Sequence, residues 1–309
     1  MKHDKYWMAL EQVKGVGPAS MREIYDALKG PGLSIVDLFT LSPEEMRAEL
    51  SLRDPIASAI DTARGRISLI EDEYFTLIDA GIEIVLFFEE GYPERLARLL
   101  KNEAPSMLYV YGNRSLLRNK GAAVLGEKSI SEKGELVTYL AAQELVRHHI
   151  TVISGLARGA DTIAHRVALE SGGETIGVLP YGFSQLKMPE SLREVYNPDS
   201  MLLVSAFGFP AEYSTFNAFR RNRLACALSK AVYIVEAPAE GGTFEAAKSA
   251  KTLGVPLYTT EYAEYPDTAA GNPVLMRDLG AHPVRGRLIN NALSPNLDRL
   301  IADVKFGDR

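Results

Sequence analysis

SGLARGADTIAH, at residues 154–165, connects an apolar run at 150–153 to a helix-like run at 164–170. Its small residues, Ser154, Gly155 and Gly159, let backbone N–H groups approach a ligand, and the start of a helix adds partial positive charge. Arg158 places a fixed cation at the same turn. We therefore predict an anion-binding connection between a strand and a helix, with phosphate as the expected anion.

This turn does not match two common nucleotide-binding patterns. Only Gly155 and Gly159 are present, so it is not G-x-G-x-x-G, and no Gly-Lys-Ser/Thr follows, so it is not a P-loop. A tight connection between a strand and a helix gives the same local pattern without any ligand. The local pattern alone leaves both interpretations open.

Composition restricts the class of protein. The 309 residues suffice for a core domain and one small extra domain, and no segment is long and uncharged enough to span a bilayer. The N-terminus lacks an apolar signal core, and the single cysteine, Cys226, excludes an intramolecular disulfide and a Cys-rich zinc site. We expect a cytoplasmic protein with no membrane partner, metal or cofactor. The net charge of −6 weighs mildly against tight nonspecific DNA binding but allows a local basic patch.

Residues 1–75 are predicted to form a small helical domain. Two amphipathic helical patterns flank a Gly-x-Gly-Pro hairpin at Gly15–Pro18. This arrangement resembles one helix-hairpin-helix motif, whose hairpin N–H groups contact DNA phosphate. Such hairpins also serve as packing units, and the sequence leaves the two roles open.

Residues 76–309 are predicted to form an α/β domain with a doubly wound, mainly parallel, Rossmann-like sheet. From residue 82 apolar strands alternate with amphipathic helices, which is typical of such sheets. The predicted core strands are Ala122–Leu125, Thr151–Ile153, Thr175–Leu179, Met201–Ser205, Ala231–Val235 and Val255–Tyr258. The predicted helices are Glu132–His148, Asp161–Glu170, Pro189–Tyr196, Phe216–Leu228, Phe244–Leu253 and Asn272–Leu279.

Four loops of this domain carry unusual chemistry, and ligands of such sheets bind at the carboxyl ends of the strands. GEKSISEKG at 126–134 places Lys128 and hydroxyls before a helix. In the 154–165 turn, Asp161 and His165 lie four residues apart and share a helix face. They could act as an acid–base pair, but we favour hydrogen bonds that position the loop.

The other two loops supply arginines and glycines. FNAFRRNR at 216–223 contains Arg221, Asn222 and Arg223 beside two aromatic residues, which suits phosphate contacts and base stacking. The alternative is a solvated helix face. VEAPAEGGTFEAA at 235–247 places Gly241, Gly242 and Thr243 at the start of a helix, where the alternative is an ordinary turn.

These loops resemble, in order, the motifs of the DNA-processing protein A (DprA/Smf) family, within the SLOG/Rossmann-like superfamily. The family patterns are G-x-R-x-x-S-x-x-G, SGLARGID-x-x-AH, F-P-x-R-N-R and V-V-E-A-x-x-x-S-G-(S/T), and the resemblance covers residues 82–285. Lys128 replaces the arginine of the first motif, so the charge is kept but the bidentate contact of a guanidinium is lost. Gly241 stands where serine is common in the fourth motif, and Asn217-Ala218 replaces the proline of the third. The family's S-E-x-P lacks its glutamate here, because Ala206 follows Ser205. The segment after Gly286 is too short for the winged helix of many members.

The resemblance implies a non-catalytic binder of single-stranded DNA in natural transformation and recombination. Such a protein protects incoming DNA, delivers it to a RecA-type recombinase and forms a homodimer. Phosphates would be held by Lys128, Arg158, Arg221 and Arg223. Backbone, hydroxyl and amide contacts would come from Ser154, Gly155, Gly159, Asn222, Gly241, Gly242 and Thr243.

A nucleotide-binding SLOG protein, either a sensor or an N-glycosidic hydrolase, is the alternative. The GGTxE string at 241–245 is similar to the signature of the related lysine-decarboxylase-like (LOG) hydrolases. Glu245 would then be the catalytic carboxylate. The negative net charge and the substituted motif residues favour this alternative. The sequence alone does not separate it from DNA binding.

Overall fold

A nine-stranded sheet forms the centre of the part of the chain that the computed structural model describes, residues 3–289 and 292–307. Its strands are β1 (Glu83–Leu86), β2 (Met107–Gly112), β3 (Gly121–Leu125), β4 (Thr151–Ser154), β5 (Thr175–Leu179), β6 (Met201–Ser205), β7 (Ala231–Ile234), β8 (Leu257–Thr260) and β9 (His282–Val284). A separate two-stranded ribbon consists of β10 (Gly286–Ile289) and β11 (Ala292–Pro295).

Helices cover both faces of the sheet. Those before the first strand are α1 (Asp4–Glu11), α2 (Pro18–Lys29), α3 (Ile35–Leu38), α4 (Pro43–Leu50), α5 (Asp54–Arg64) and α6 (Ile67–Asp79). The remaining helices are α7 (Glu94–Leu100), α8 (Glu132–Arg147), α9 (Ala160–Glu170), α10 (Glu190–Arg193), α11 (Thr215–Leu228), α12 (Gly242–Thr252), α13 (Asn272–Leu279) and α14 (Asp298–Phe306). None of the helices in the described ranges combines the length and apolar character needed to cross a membrane.

The strand order explains where loops converge. In space it is β1-β2-β6-β5-β4-β3-β7-β8-β9, in which β2 is antiparallel to both of its neighbours, β1 and β6, and every pair from β6 to β9 is parallel. The chain moves outward from β3 to β6 and then returns to the other side of β3 as β7. The predicted doubly wound, mainly parallel sheet is therefore confirmed, and the carboxyl ends of β3, β4 and β7 meet at its reversal point.

Each core strand is apolar on both faces, as a sheet covered by helices on both sides requires. On β3, Ala122 and Val124 pack in a cluster with α8, α9 and α14, whereas Ala123 and Leu125 pack with α11, α12 and α13. The alternation arises because successive side chains of a strand point to opposite faces. It explains why the core strands read as continuous apolar runs in the sequence.

The N-terminal helices pack on the β1–β2 side of the sheet. Their buried side chains form one apolar cluster with Ile84, Met107 and Tyr109. Tyr25 of α2 stacks on Phe88, with ring centroids 4.2 Å apart. The predicted boundary at residue 75 falls inside α6, and independent folding of the two parts stays a prediction.

Two predicted elements differ from the observed ones. The strand predicted at Val255–Tyr258 begins at Leu257, since Pro256 has no N–H to donate to a neighbouring strand. The helix predicted at Pro189–Tyr196 is reduced to Glu190–Arg193 and is followed by a turn at residues 194–195. The other predicted core elements agree to within two residues at each end.

Candidate functional site

A pocket of about 360 Å³ opens at the reversal point of the sheet. We call it the strand-tip pocket. All four loops singled out in the sequence contribute to it. Its lining includes Gly126, Glu127, Lys128, Ala157, Asp161, Tyr213, Ala218, Phe219, Arg221, Asn222, Gly241, Gly242 and Thr243.

A buried ion pair lies at one wall of the strand-tip pocket. Nη1 of Arg221 is 3.4 Å from Oδ2 of Asp161, and both side chains are about nine-tenths buried or more. A Cβ on Gly155 would lie 1.4 Å from the same Nη1, so only glycine leaves room for the guanidinium. Burial raises the pKa of Asp161, and the nearby guanidinium opposes that rise. Nε of Arg221 is buried without a hydrogen-bond partner among the described residues, which leaves a donor for an anion.

His165 fixes the turn behind this pair. The Gly155 carbonyl can only accept a hydrogen bond, so Nε2 of His165 carries the proton, and the Thr175 hydroxyl lies 2.6 Å from Nδ1. Complete burial lowers the pKa of His165 to about 4, so the ring is neutral near pH 7. Its contacts are with the protein itself, in agreement with a positioning role.

Glu236, two residues after the end of β7, joins two of the loops. Its side chain is fully buried and accepts hydrogen bonds from the Ser131 N–H, the Ser131 hydroxyl, Tyr262 and Thr268. Ser131 also caps α8 by accepting from the Gly134 N–H at 3.0 Å. The loop after β3 is thereby tied to the loop after β7. Sequence reasoning missed this role, although an acidic residue directly after an apolar strand was an available signal.

The start of α12 faces the strand-tip pocket, and no side chain caps its first backbone N–H groups. Gly241, the N-cap, has a φ of 116° and offers no side chain to cap the helix. The Thr243 hydroxyl donates to Glu127 at 2.7 Å, and the Asn222 amide donates to the Gly242 carbonyl at 3.0 Å. The first N–H groups of this helix are therefore positioned for an anion.

The predicted cations do not all reach the pocket. Lys128 is exposed and lines it, as does the buried Arg221. Arg158 is exposed on the adjacent turn but does not line the pocket, and Arg223 instead forms an ion pair of 3.0 Å with Glu103. Glu245 also lies outside the lining, paired with Lys248 at 2.6 Å.

Exposed aromatic side chains surround the pocket mouth. Tyr213, Phe216 and Phe219 are 57%, 68% and 41% exposed, and the first and third line the pocket. Flat exposed rings beside a phosphate site are typical stacking surfaces for unpaired bases. Tyr213 was missed in the sequence because it lies in an irregular segment before α11.

Comparison with known proteins identifies the family. The family model described as DNA recombination-mediator protein A matches residues 83–291. The chain belongs to this family. The match spans the same region as the predicted resemblance and confirms it.

Curated members of the family give a similar picture. Protein Smf of Escherichia coli K12 is 34% identical over 171 residues, which cover 53% of this chain and 44% of that protein. DNA processing protein DprA of Streptococcus pneumoniae R6 is 30% identical over 181 residues, covering 56% of this chain and 63% of that protein. The matched part thus spans between about two fifths and two thirds of these relatives.

Solved structures of family members share the fold. DprA from Streptococcus pneumoniae superposes with a TM-score of 0.74 at 22% identity, covering 92% of this chain and 95% of that chain. DNA processing protein A from Helicobacter pylori, described for its single-stranded DNA binding mode, gives a TM-score of 0.56 at 23% identity over 65% of this chain and 90% of that chain. At these identities the likeness concerns the fold.

The described residues also bear on metal binding. Within residues 3–289 and 292–307, no three His, Cys, Asp or Glu side chains gather in a way that could hold a metal ion. Cys226 is buried in the apolar cluster beside α12, and burial raises its thiol pKa to about 12.

Proposed function

We propose that this protein binds single-stranded DNA, with backbone phosphates in the strand-tip pocket. The observation that carries the proposal is the combination of Lys128, Arg221 and the uncapped start of α12 beside three exposed aromatic rings. Phosphate contacts supply affinity, and stacking on the rings accepts any base. Family membership and the DNA-binding Helicobacter pylori relative support this assignment.

A role in DNA uptake and recombination follows from the same proposal. The family description, a recombination mediator, supports delivery of the bound strand to a RecA-type recombinase in the cytoplasm. The test is whether the purified chain accelerates assembly of a RecA-type filament on an oligonucleotide that is already coated with a single-strand-binding protein. No acceleration would remove the delivery step and leave DNA binding in place.

A homodimer is the expected assembly. Leu288 and Leu293 of the β10–β11 ribbon are 73% and 51% exposed, and β11 packs against α8, where Leu136 is also exposed. Exposed apolar side chains gathered in this way mark association surfaces. Light scattering should report a dimer for the wild type and a monomer for Leu288→Lys, whereas a wild-type monomer would contradict the proposal.

Salt dependence tests DNA binding directly. With two or three phosphates held by Lys128, Arg221 and the start of α12, the logarithm of oligo-dT affinity should fall with the logarithm of salt at a slope of roughly −1.4 to −2.1. Lys128→Gln should reduce the steepness by about 0.7, the value of one single-strand phosphate contact. Lys251→Gln, at the far end of α12, is the matched control and should leave the slope unchanged. Undetectable oligo-dT binding at low salt would refute the proposal.

A nucleotide ligand is the second candidate. The pocket volume of about 360 Å³ and the Gly241–Thr243 helix start would also accept a single nucleotide phosphate. A panel of mononucleotides, screened beside oligo-dT, separates the two. Tight mononucleotide binding together with hydrolysis lost in Glu245→Gln would favour the hydrolase.

A further inference from the structure

A second groove, of about 540 Å³, lies between the N-terminal hairpin and α11. We call it the hairpin groove. One wall is the Gly15–Pro18 hairpin with Gln12, and the opposite wall is the loop after β6 together with α11. The lining includes Gln12, Val16, Pro18, Ala206, Phe207 and Arg220.

Arg220 is the cation of the hairpin groove. Its guanidinium lies 5.3 Å from the ring centre of Phe207 and 5.9 Å from that of Phe216, so two cation–π contacts hold it in place. The side chain is exposed, and no carboxylate in the described part of the chain forms an ion pair with it. An exposed, prepositioned guanidinium without a carboxylate partner is suited to a phosphate.

The two sites share one helix. Arg220 faces the hairpin groove, whereas its neighbour Arg221 lines the strand-tip pocket. A helix with its side chains is about 10 to 12 Å wide, and a stacked strand advances about 3.4 Å per nucleotide. A strand passing around α11 would therefore reach the second site in about three to four nucleotides.

We infer that the hairpin groove is a second subsite for the same DNA strand, with Arg220 on a backbone phosphate and Phe216 stacked on the adjoining base. This inference rests on the proposed function. A DNA strand is the expected occupant because the hairpin groove and the strand-tip pocket lie on either side of α11 and because Arg220 is positively charged. The α2 helix adds backbone donors, because its N-cap, Gly17, has no side chain to satisfy them.

The negative charge in the hairpin groove is small. Glu11 accepts a hydrogen bond of 2.7 Å from Tyr109, and burial raises its pKa to about 7, against the opposing effect of Arg220. The carboxyl is therefore partly protonated at neutral pH. The family's glutamate after the fourth core strand is replaced by Ala206, which removes a second carboxylate from the same wall.

Oligonucleotide length separates the two subsites. Affinity and salt slope are measured on the full chain for dT4, which fits the strand-tip pocket alone, and for dT12, which reaches both. Arg220→Gln should weaken dT12 about 10-fold and reduce the steepness of its salt slope by about 0.7, with little effect on dT4. Arg277→Gln, an exposed arginine on α13, is the matched control and should change neither.

A second variant tests whether the effect of Arg220→Gln comes from the groove itself and not from a change in folding. Ala206→Glu restores the family's residue and places a carboxylate against the phosphate, so it should also weaken dT12 selectively. Photo-crosslinking of 5-iodouracil-containing dT12 should label a peptide that includes residues 12–18. Equal effects of both variants on dT4 and dT12, or crosslinks confined to the loops that line the strand-tip pocket, with none at residues 12–18, residues 206–211 or Phe216, would overturn the second subsite alone. Absence of wild-type binding to both oligonucleotides would overturn the proposed function together with it.

Discussion

At the scale of single residues, burial separates the two arginines that the sequence places in one motif. Arg221 is buried against Asp161, whereas the side chains of Arg223 and Glu103 remain 33% and 69% exposed. Removal of one partner from a buried pair leaves an uncompensated charge, but an exposed pair contributes little. We therefore expect Arg221 to contribute to folding stability in addition to its proposed role in anion binding.

Arg221→Ala should lower the free energy of unfolding by about 2 to 4 kcal/mol, whereas Arg223→Ala should cost less than about 1 kcal/mol. Urea unfolding followed by circular dichroism measures both. In the double variant Arg221→Met, Asp161→Asn, much of the stability should return, because neither charge remains buried. Equal stability of the two single variants would show that the buried pair contributes nothing.

His165 should make stability depend on pH on the acid side. Its pKa is about 4 in the folded chain against 6.5 for an unperturbed histidine, so the unfolded state binds more protons between these values. Its contribution to stability is complete above about pH 6.5 and is lost as pH falls toward 4, by about 3 kcal/mol in total.

The measurement compares urea midpoints of the wild type and His165→Gln from pH 4 to 7.5. Burial raises the pKa values of Glu11 and Asp161, which gives the opposite slope in both proteins and cancels in the comparison. The difference between wild type and variant should shrink as pH falls. A constant difference would mean that His165 is not neutral and buried in the folded state.

The residue types of the site could be predicted from sequence, but several of their partners could not. The glycine and arginine motifs gave Gly155, Lys128 and Arg221 because phosphate sites need small residues and cations. Glu103, which pairs with Arg223, lies more than 100 residues away in the chain, and no local pattern links the two. Only the tertiary structure shows that Arg220 and Arg221 face different grooves.

At the scale of elements, two glycine turns with similar φ angles differ in the space available for a side chain. Gly159, before α9, has a φ of 79°, and a Cβ there would lie 2.3 Å from the Glu127 carbonyl oxygen. Gly172, after α9, has a φ of 72°, and a Cβ there would meet no atom within 4 Å. A side chain at Gly159 would therefore collide with the loop that carries Lys128, whereas one at Gly172 would not collide with anything.

Gly159→Ala should therefore cost more stability than Gly172→Ala and should also weaken oligo-dT binding. Backbone strain alone is worth about 1 kcal/mol, the expected cost at Gly172. At Gly159 the contact with Glu127 adds to it and displaces the loop of Lys128. Thermal unfolding and anisotropy titration test both effects, and an unchanged affinity in Gly159→Ala would show that the turn does not shape the site.

Periodicity predicts the central elements well because both faces of those strands are buried. Thr175–Leu179 and Met201–Ser205 have the observed bounds, since each is an apolar run that ends at polar or turn residues. The antiparallel direction of β2 was not predicted, because strand direction depends on connections and not on the pattern within a strand. The start of β8 differs from the predicted one because Pro256 has no N–H to donate to a neighbouring strand, and a pattern of apolar residues does not reveal a missing N–H.

At the scale of the whole molecule, the N-terminal helices and the sheet share an apolar interior. Ile84, Leu86, Met107 and Tyr109 on the sheet are almost fully buried in a cluster with Trp7 and its neighbours. A fragment of residues 80–309 would expose this face. The change of sequence periodicity near residue 80 marks a change of architecture, and separate stability of each part remains a prediction.

We expect the 80–309 fragment to keep its central strands but to bind the dye ANS and to associate at micromolar concentration, because a large apolar face is uncovered. Circular dichroism, dye fluorescence and light scattering report these three properties. Replacement of Ile84 and Leu86 by threonine in the fragment should reduce association. A monomeric fragment without dye binding would show that the helices are an independent domain resting on the sheet.

Glu236 has a consequence for the speed of binding. Its four hydrogen bonds join the loop after β7 to the loops after β3 and β8, and the two from Ser131 hold the start of α8 in place before any ligand arrives. In the proposed function, a DNA strand that meets this preformed strand-tip pocket would bind without a loop closure, so its association rate would be set by diffusion and electrostatic steering. Differences in residence time would then arise from how quickly phosphates leave the strand-tip pocket and how quickly bases unstack from the aromatic rings at its mouth.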